Sequence, residues 1–110
     1  MKITYNEFFL WLDDLARKKD VKLSFSDKDF FFSLCSYCED VATYDYEKEC
    51  FVLEAGVVFL MELFNIKSRS VIQNAINNLR KLGVLVTTLN RPNKTYYNVY
   101  CPYIEFKRRI

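Results

Sequence analysis

A chain of 110 residues can bury one hydrophobic core and is too short for two. Its composition, 51% hydrophobic and 27% charged, is that of a folding domain and excludes a disordered segment. Two Gly and two Pro disfavour a many-turned β-sandwich, and without His any acid-base catalysis would fall to carboxylates, Tyr or Cys.

The formal charge of +2 conceals an asymmetry. Residues 1–60 hold seven Lys and Arg against twelve Asp and Glu, a net of −5. Residues 61–110 hold nine against two, a net of +7, with no acidic residue between Asn65 and Tyr103. The second half suits a polyanion and the first does not.

The N-terminal twenty residues carry charge at both ends and no small-residue cleavage site, so no leader peptide is expected. The most apolar window, residues 51–64, is broken by Glu54 and Glu62 and is too short for a bilayer. These features predict a cytoplasmic protein without membrane association.

Helix one is expected from Thr4 to about Lys18, because "TYNE" is a capping box. Phe8, Phe9, Leu10, Trp11 and Leu12 cover more than one helical face. Either the domain wraps this helix, or the helix forms a homodimer contact. "VKLSF" alternates and predicts a short extended segment. Ser26, with Asp29 three residues on, is expected to cap helix two, which carries Phe31, Leu34, Cys35 and Cys38 on one side.

Cys35 and Cys38 have the spacing of a zinc or redox pair. Cys50 and Cys101 complete no common zinc module, and the pair falls late in a helix, where the dipole does not lower a thiol pKa. Buried thiols are expected, with no metal or cofactor and no disulfide. "VATYDYEKE" reads as an acidic loop and residues 50–53 as a short strand. Helix three follows, with Val57, Leu60, Met61 and Phe64 at helical spacing.

After a tight turn at "IKS", helix four is expected over about 68–82, stopped by Gly83. Its inward residues are expected to be Val71, Ala75, Leu79 and Leu82. The opposite face then carries Arg69, Ser70, Gln73, Asn74, Asn77 and Arg80. The three Asn at 74, 77 and 78 work against helix propensity, and an inert surface more often uses Glu and Lys. The period then changes to two: residues 84–89 read as a strand, 90–94 as a turn, and "TYYNVYC" as a returning strand. Alternation puts Tyr97, Val99 and Cys101 on the packed side and Tyr96, Asn98 and Tyr100 on an exposed one. The tail is basic.

The stretch "LMELFNIKSRSVIQNAINNLRKLGVL" followed by this hairpin resembles a winged helix-turn-helix domain. The nearest likeness is to replication initiators and replisome organisers of Gram-positive plasmids, phages and mobile elements. The resemblance covers about residues 26–103. It implies a single α+β, mostly helical domain with an additional N-terminal helix (1–25), a C-terminal β-hairpin wing and a basic tail (104–110). It further implies DNA binding in replication or its control, or in transcription regulation. Asn and Gln pair with adenine and Arg with guanine in a major groove, so Gln73, Asn74, Asn77, Arg69 and Arg80 are the candidate readers, with Arg69 and Arg80 equally able to touch phosphate. Ser68 and Ser70 at the helix start suit a phosphate oxygen. Lys67, Lys81, Arg91, Lys94, Lys107, Arg108 and Arg109 add sequence-independent attraction.

Two other functions fit the same residues. Tyr96 and Tyr100 among basic residues are what single-stranded DNA needs for base stacking. A protein-interaction module would instead use the acidic front half or helix one. Enzymatic chemistry is not expected. Asp13 and Asp14 point apart on a helix, Asp27 and Asp29 sit at a helix start, and no phosphate loop, nucleophile elbow or metal triad is present.

Overall fold

The computed structural model describes residues 3–91 and 94–101. Helix α1 (Tyr5–Lys19) begins where expected, with the Thr4 hydroxyl accepting from the Glu7 N–H at 3.1 Å. It ends at Asp20 in the left-handed conformation, and the Val21 N–H returns to the Ala16 carbonyl at 2.9 Å. The "VKLSF" segment then connects α1 to α2 outside any strand, with Ser24 in an extended conformation.

Helix α2 (Phe25–Val41) starts two residues earlier than expected. The spacing Ser-x-x-Asp occurs twice, at Ser24 with Asp27 and at Ser26 with Asp29, and the upstream pair forms the capping box. The Asp27 carboxylate also accepts from the Asn78 amide at 2.9 Å, and Asp29 takes the Tyr5 hydroxyl at 2.7 Å. Starting the helix at Phe25 lets Asp27 serve two elements from a position only 4% exposed.

The acidic segment after α2 is not a plain loop. Strand β1 (Thr43–Asp45) pairs antiparallel with β2 (Cys50–Glu54), with Thr43 opposite Val52 and Asp45 opposite Cys50. Asp45 folds the connection by accepting from the Glu47 and Lys48 N–H groups at 3.0 and 3.1 Å, and Glu49 supplies a left-handed residue. The charge of this stretch masks a strand of only three residues.

Helices α3 (Val57–Leu63) and α4 (Arg69–Leu82) are joined by a turn in which Asn65 is left-handed and the Ile66 N–H bonds the Met61 carbonyl at 2.9 Å. Gly83, with φ 86°, ends α4. A side chain here would be strained and would meet the Lys19 ammonium 3.0 Å away. Strand β3 (Leu85–Arg91) and strand β4 (Lys94–Val99) follow. The sheet order is β1-β2-β4-β3, all antiparallel. The expected two-stranded hairpin is thus half of a larger sheet, and β4 lies inside it.

One core joins all these elements. Phe8 of α1 meets Phe31 and Phe32 of α2 at ring-centroid distances of 5.7 and 5.1 Å, and Phe30 meets Phe64 edge-on at 5.6 Å. Phe8, Leu12 and Ala16 are buried, Phe9, Trp11 and Leu15 are half-buried against the core, and Leu10 is exposed. The domain thus absorbs most of the apolar width of α1.

In α4 the buried residues are Ile72, Ala75, Ile76, Leu79 and Leu82. Val71, expected to face inward, is 38% exposed. The helix is rotated so that the larger Ile72 and Ile76 enter the core, while Val71 borders a groove of about 250 Å³ with Phe25, Phe30, Phe64 and Ile66.

The bond from Asn78 to Asp27 ties the start of α2 to the third turn of α4. Asp27→Ala removes the return bond of the capping box and this acceptor and is expected to cost about 2–3 kcal/mol in urea denaturation. Combining it with Asn78→Ala should recover about 1 kcal/mol relative to additivity. Strict additivity would show that the two side chains do not couple.

Candidate nucleic-acid interface

Helical spacing places Ser70, Asn74, Asn77 and Lys81 at the centre of the outward face of α4, and Arg69, Gln73 and Arg80 along the flank toward β3. All seven are exposed. The sequence pattern places six of them outward, all but Lys81, although it assigns one inward residue, Val71, wrongly. Asn78 is different. Its amide is committed to Asp27, so one of the three asparagines has a structural role.

Lys67 and Ser68 are exposed at the mouth of the helix. Ser68 occupies the cap position but makes no capping bond; its hydroxyl meets that of Ser70 at 2.9 Å. The first N–H groups of α4 therefore carry no side-chain cap, and two hydroxyls stand beside them.

Arg80 is held in place. Its guanidinium donates to the Thr87 hydroxyl of β3 and, at 3.4 Å, to the Asn77 amide oxygen. This contact ties the last turn of α4 to the first strand of the hairpin and orders the side chain of a candidate reader. Lys94 lies 3.8 Å from the Glu54 carboxylate of β2, an exposed pair worth at most about 1 kcal/mol. Arg91 closes β3 opposite Lys94. The Arg91 side chain, and Lys107, Arg108 and Arg109, lie outside the described residues.

The tyrosine face of β4 departs from expectation. Asn98 is only 7% exposed, and Tyr96 and Tyr100 are half-buried. The cause is β2, which pairs with the other edge of β4 and sets Val52 against Asn98 and Glu54 against Tyr96. Tyr100 lies beyond β4, at the end of the sheet remote from the β3–β4 turn. Its hydroxyl is hydrogen-bonded to Asn98 and Cys50, with Asp45 near. Burial is the largest cause raising its pKa. Its neighbours are thus Asn98, Cys50 and the acidic Asp45, at the far end of the sheet from the tip of the wing.

Helix α3 presents Val58, Phe59, Glu62 and Leu63 to solvent, with Tyr37 of α2 beside Phe59 at a centroid distance of 6.0 Å. Such a surface has nothing to offer a phosphate.

The cysteines are buried free thiols. Cys35 hydrogen-bonds to Cys101, and burial holds its thiol well above the ordinary range. Among the described residues no group of three or more His, Cys, Asp or Glu is arranged to hold a metal ion.

No family model matches the chain, and no match to it was found among curated proteins or solved structures. Among the described residues no helix is long and apolar enough to cross a membrane.

The thiols give a pH prediction. Burial, reinforced by the neighbouring Cys101, pushes Cys38 from 9.0 up to about 12. Between those values the unfolded chain has released this proton and the folded chain has kept it. Stability is therefore fully present below pH 9 and falls above it, by up to about 1.4 kcal/mol per pH unit for the thiol. Urea midpoints should drop more steeply from pH 8 to 10.5 in the parent than in Cys38→Ala. Equal pH slopes would show that the thiol ionises as in the unfolded chain.

Proposed function

We propose that this protein binds double-stranded DNA as a winged helix-turn-helix domain, with α4 as the recognition helix. The observation that carries the reading is the outward face of α4. It is exposed, has no acidic residue, and offers three amides and two arginines at helical spacing. Helix propensity does not explain such a face, whereas hydrogen bonding to base edges does.

The element order adds support. Helix α2, strand β2, helices α3 and α4, and strands β3 and β4 follow one another, and the strand order β2-β4-β3 roots the hairpin beside the end of α4. That is the arrangement a winged domain uses to set one helix in a groove and a strand pair beside it. Helix α1 and strand β1 are then additions to that core. The resemblance in sequence points to replication or its control on a mobile element, or to transcription regulation, as the process served.

The single-strand reading has less support, because Tyr96 and Tyr100 are half-buried and are separated by the buried Tyr97, Asn98 and Val99. A protein-contact reading has one observation in its favour, the outward apolar face of α3 at Val58, Phe59 and Leu63. A homodimer through α1 would rest on Leu10, 68% exposed.

The test is a salt-titrated comparison of one oligonucleotide single strand with its duplex. The duplex should bind more tightly, with affinity falling at a log–log salt slope of about −4 to −5 for some five phosphate contacts. Preferential binding of the single strand, or no binding of either at low salt, overturns the reading. On a preferred duplex, Asn74→Ala or Asn77→Ala should each cost about 1–3 kcal/mol with the salt slope preserved. Unchanged affinity across several duplexes would rule out readout by this face.

A further inference from the structure

The charge division of the sequence places Arg17, Lys18 and Lys19 in the acidic half, far from the candidate interface. The fold does not keep them there. The Lys19 ammonium lies 3.0 Å from the point where a Gly83 side chain would begin, so the basic end of α1 meets the C-terminal end of α4. Two of the neighbouring acidic groups are already paired. Asp13 binds Lys28 at 2.9 Å, and Asp14 binds Lys18 at 3.0 Å. Arg17 and Lys19 are exposed and form no ion pair among the described residues. Asp20 follows them at the helix cap, and exposed Lys22 offsets its charge.

Helix length gives this position a meaning. The fourteen residues of α4 span about 21 Å, whereas a major groove is about 12 Å wide. A helix laid across the groove overreaches it at both ends, toward the two sugar-phosphate backbones. At the N-terminal end, free N–H groups, Lys67, Ser68 and Arg69 suit a phosphate. The C-terminal end is the opposite case, because the helix carbonyls there repel an anion. Lys81 is the one exposed cation that α4 itself places in that last turn without a partner among the described residues, since Arg80 is drawn to Thr87. Further positive charge at that end must come from another element, and α1 delivers it.

We infer that Lys19 of α1 forms a second phosphate contact, clamping the backbone strand at the C-terminal end of α4. The inference rests on the DNA-binding reading and extends it to a helix outside the winged core. Here α1 has two faces with two tasks. Phe8, Leu12 and Ala16 bury it in the domain, and its last turn grips the nucleic acid.

The test measures the salt dependence of duplex binding for the parent, Lys19→Ala, Lys19→Arg and Lys48→Ala. Lys48 is an exposed residue of the β1–β2 turn and serves as a control for net charge. Each lost phosphate contact removes about 0.9 from the log–log slope, so Lys19→Ala should lose about that much. Lys19→Arg and Lys48→Ala should keep the parent slope. Thermal melting by circular dichroism should show Lys19→Ala folded, as the side chain is exposed. A parent that binds with a slope identical to that of the folded Lys19→Ala variant overturns this inference and leaves the recognition helix standing. A slope lowered equally by Lys48→Ala overturns it as a general charge effect. A parent that binds no duplex at low salt overturns both readings.

Discussion

The Asp27 carboxylate is the point on which the arrangement of helices depends. It accepts the Ser24 N–H that closes the capping box of α2, and it accepts the Asn78 amide of α4. A carboxylate this deeply buried is costly unless it is hydrogen-bonded, and the bonds come from two separate elements. Hydrophobic packing of Ile72, Ala75, Ile76 and Leu79 brings α2 and α4 together, but apolar contact tolerates rotation. The polar bond does not. It selects the rotation that buries Ile72 and Ile76 and leaves Val71 at the groove, and so decides which side chains α4 turns outward.

The sheet performs a similar service for the other side of the candidate interface. Because β4 pairs with both β2 and β3, the hairpin is anchored by β2 from Tyr96 to Val99, and the Ala55 N–H bonds the Thr95 carbonyl beyond that. Arg80 joins the two halves by binding Thr87. The polar face of α4 and the strands beside it are therefore parts of one rigid body. Under the proposed reading, this explains why residues as far apart in sequence as Lys67 and Lys94 serve a single surface.

Much of this was legible in the residues alone, and the failures share a cause. The limits of α1 and α4, the existence of α3, the left-handed Gly83, the β3–β4 hairpin and the burial of the cysteines follow from local spacing and caps. Helix α3 itself is shorter than its apolar spacing suggests, because β2 runs to Glu54 and the helix ends at Leu63. The polar face of α4 was also legible, because it needs only a period and a composition. What local spacing cannot show is competition settled by distant partners. Ser24 and Ser26 head identical motifs, and Asn78, 51 positions from Asp27, favours the first. Tyr96, Asn98 and Tyr100 alternate as an exposed face should, yet β2 covers that expectation from the other side. Strand β1 was hidden because Asp45, Glu47, Lys48 and Glu49 read as solvated charge, although Asp45 is the residue that folds the turn. The position of α1 over the end of α4 left no local signal at all.

The rooting of the hairpin has a consequence for recognition thermodynamics. A wing built from two strands alone would sample many orientations in the free protein, and a ligand would have to select one of them at an entropic cost. Here β2 has already imposed that order during folding. Under the proposed reading, the protein would meet DNA as a preset caliper, whose gap β2 helps to set. Substitutions in the acidic β1–β2 hairpin could then alter which partners fit by changing that gap, without removing a single contact.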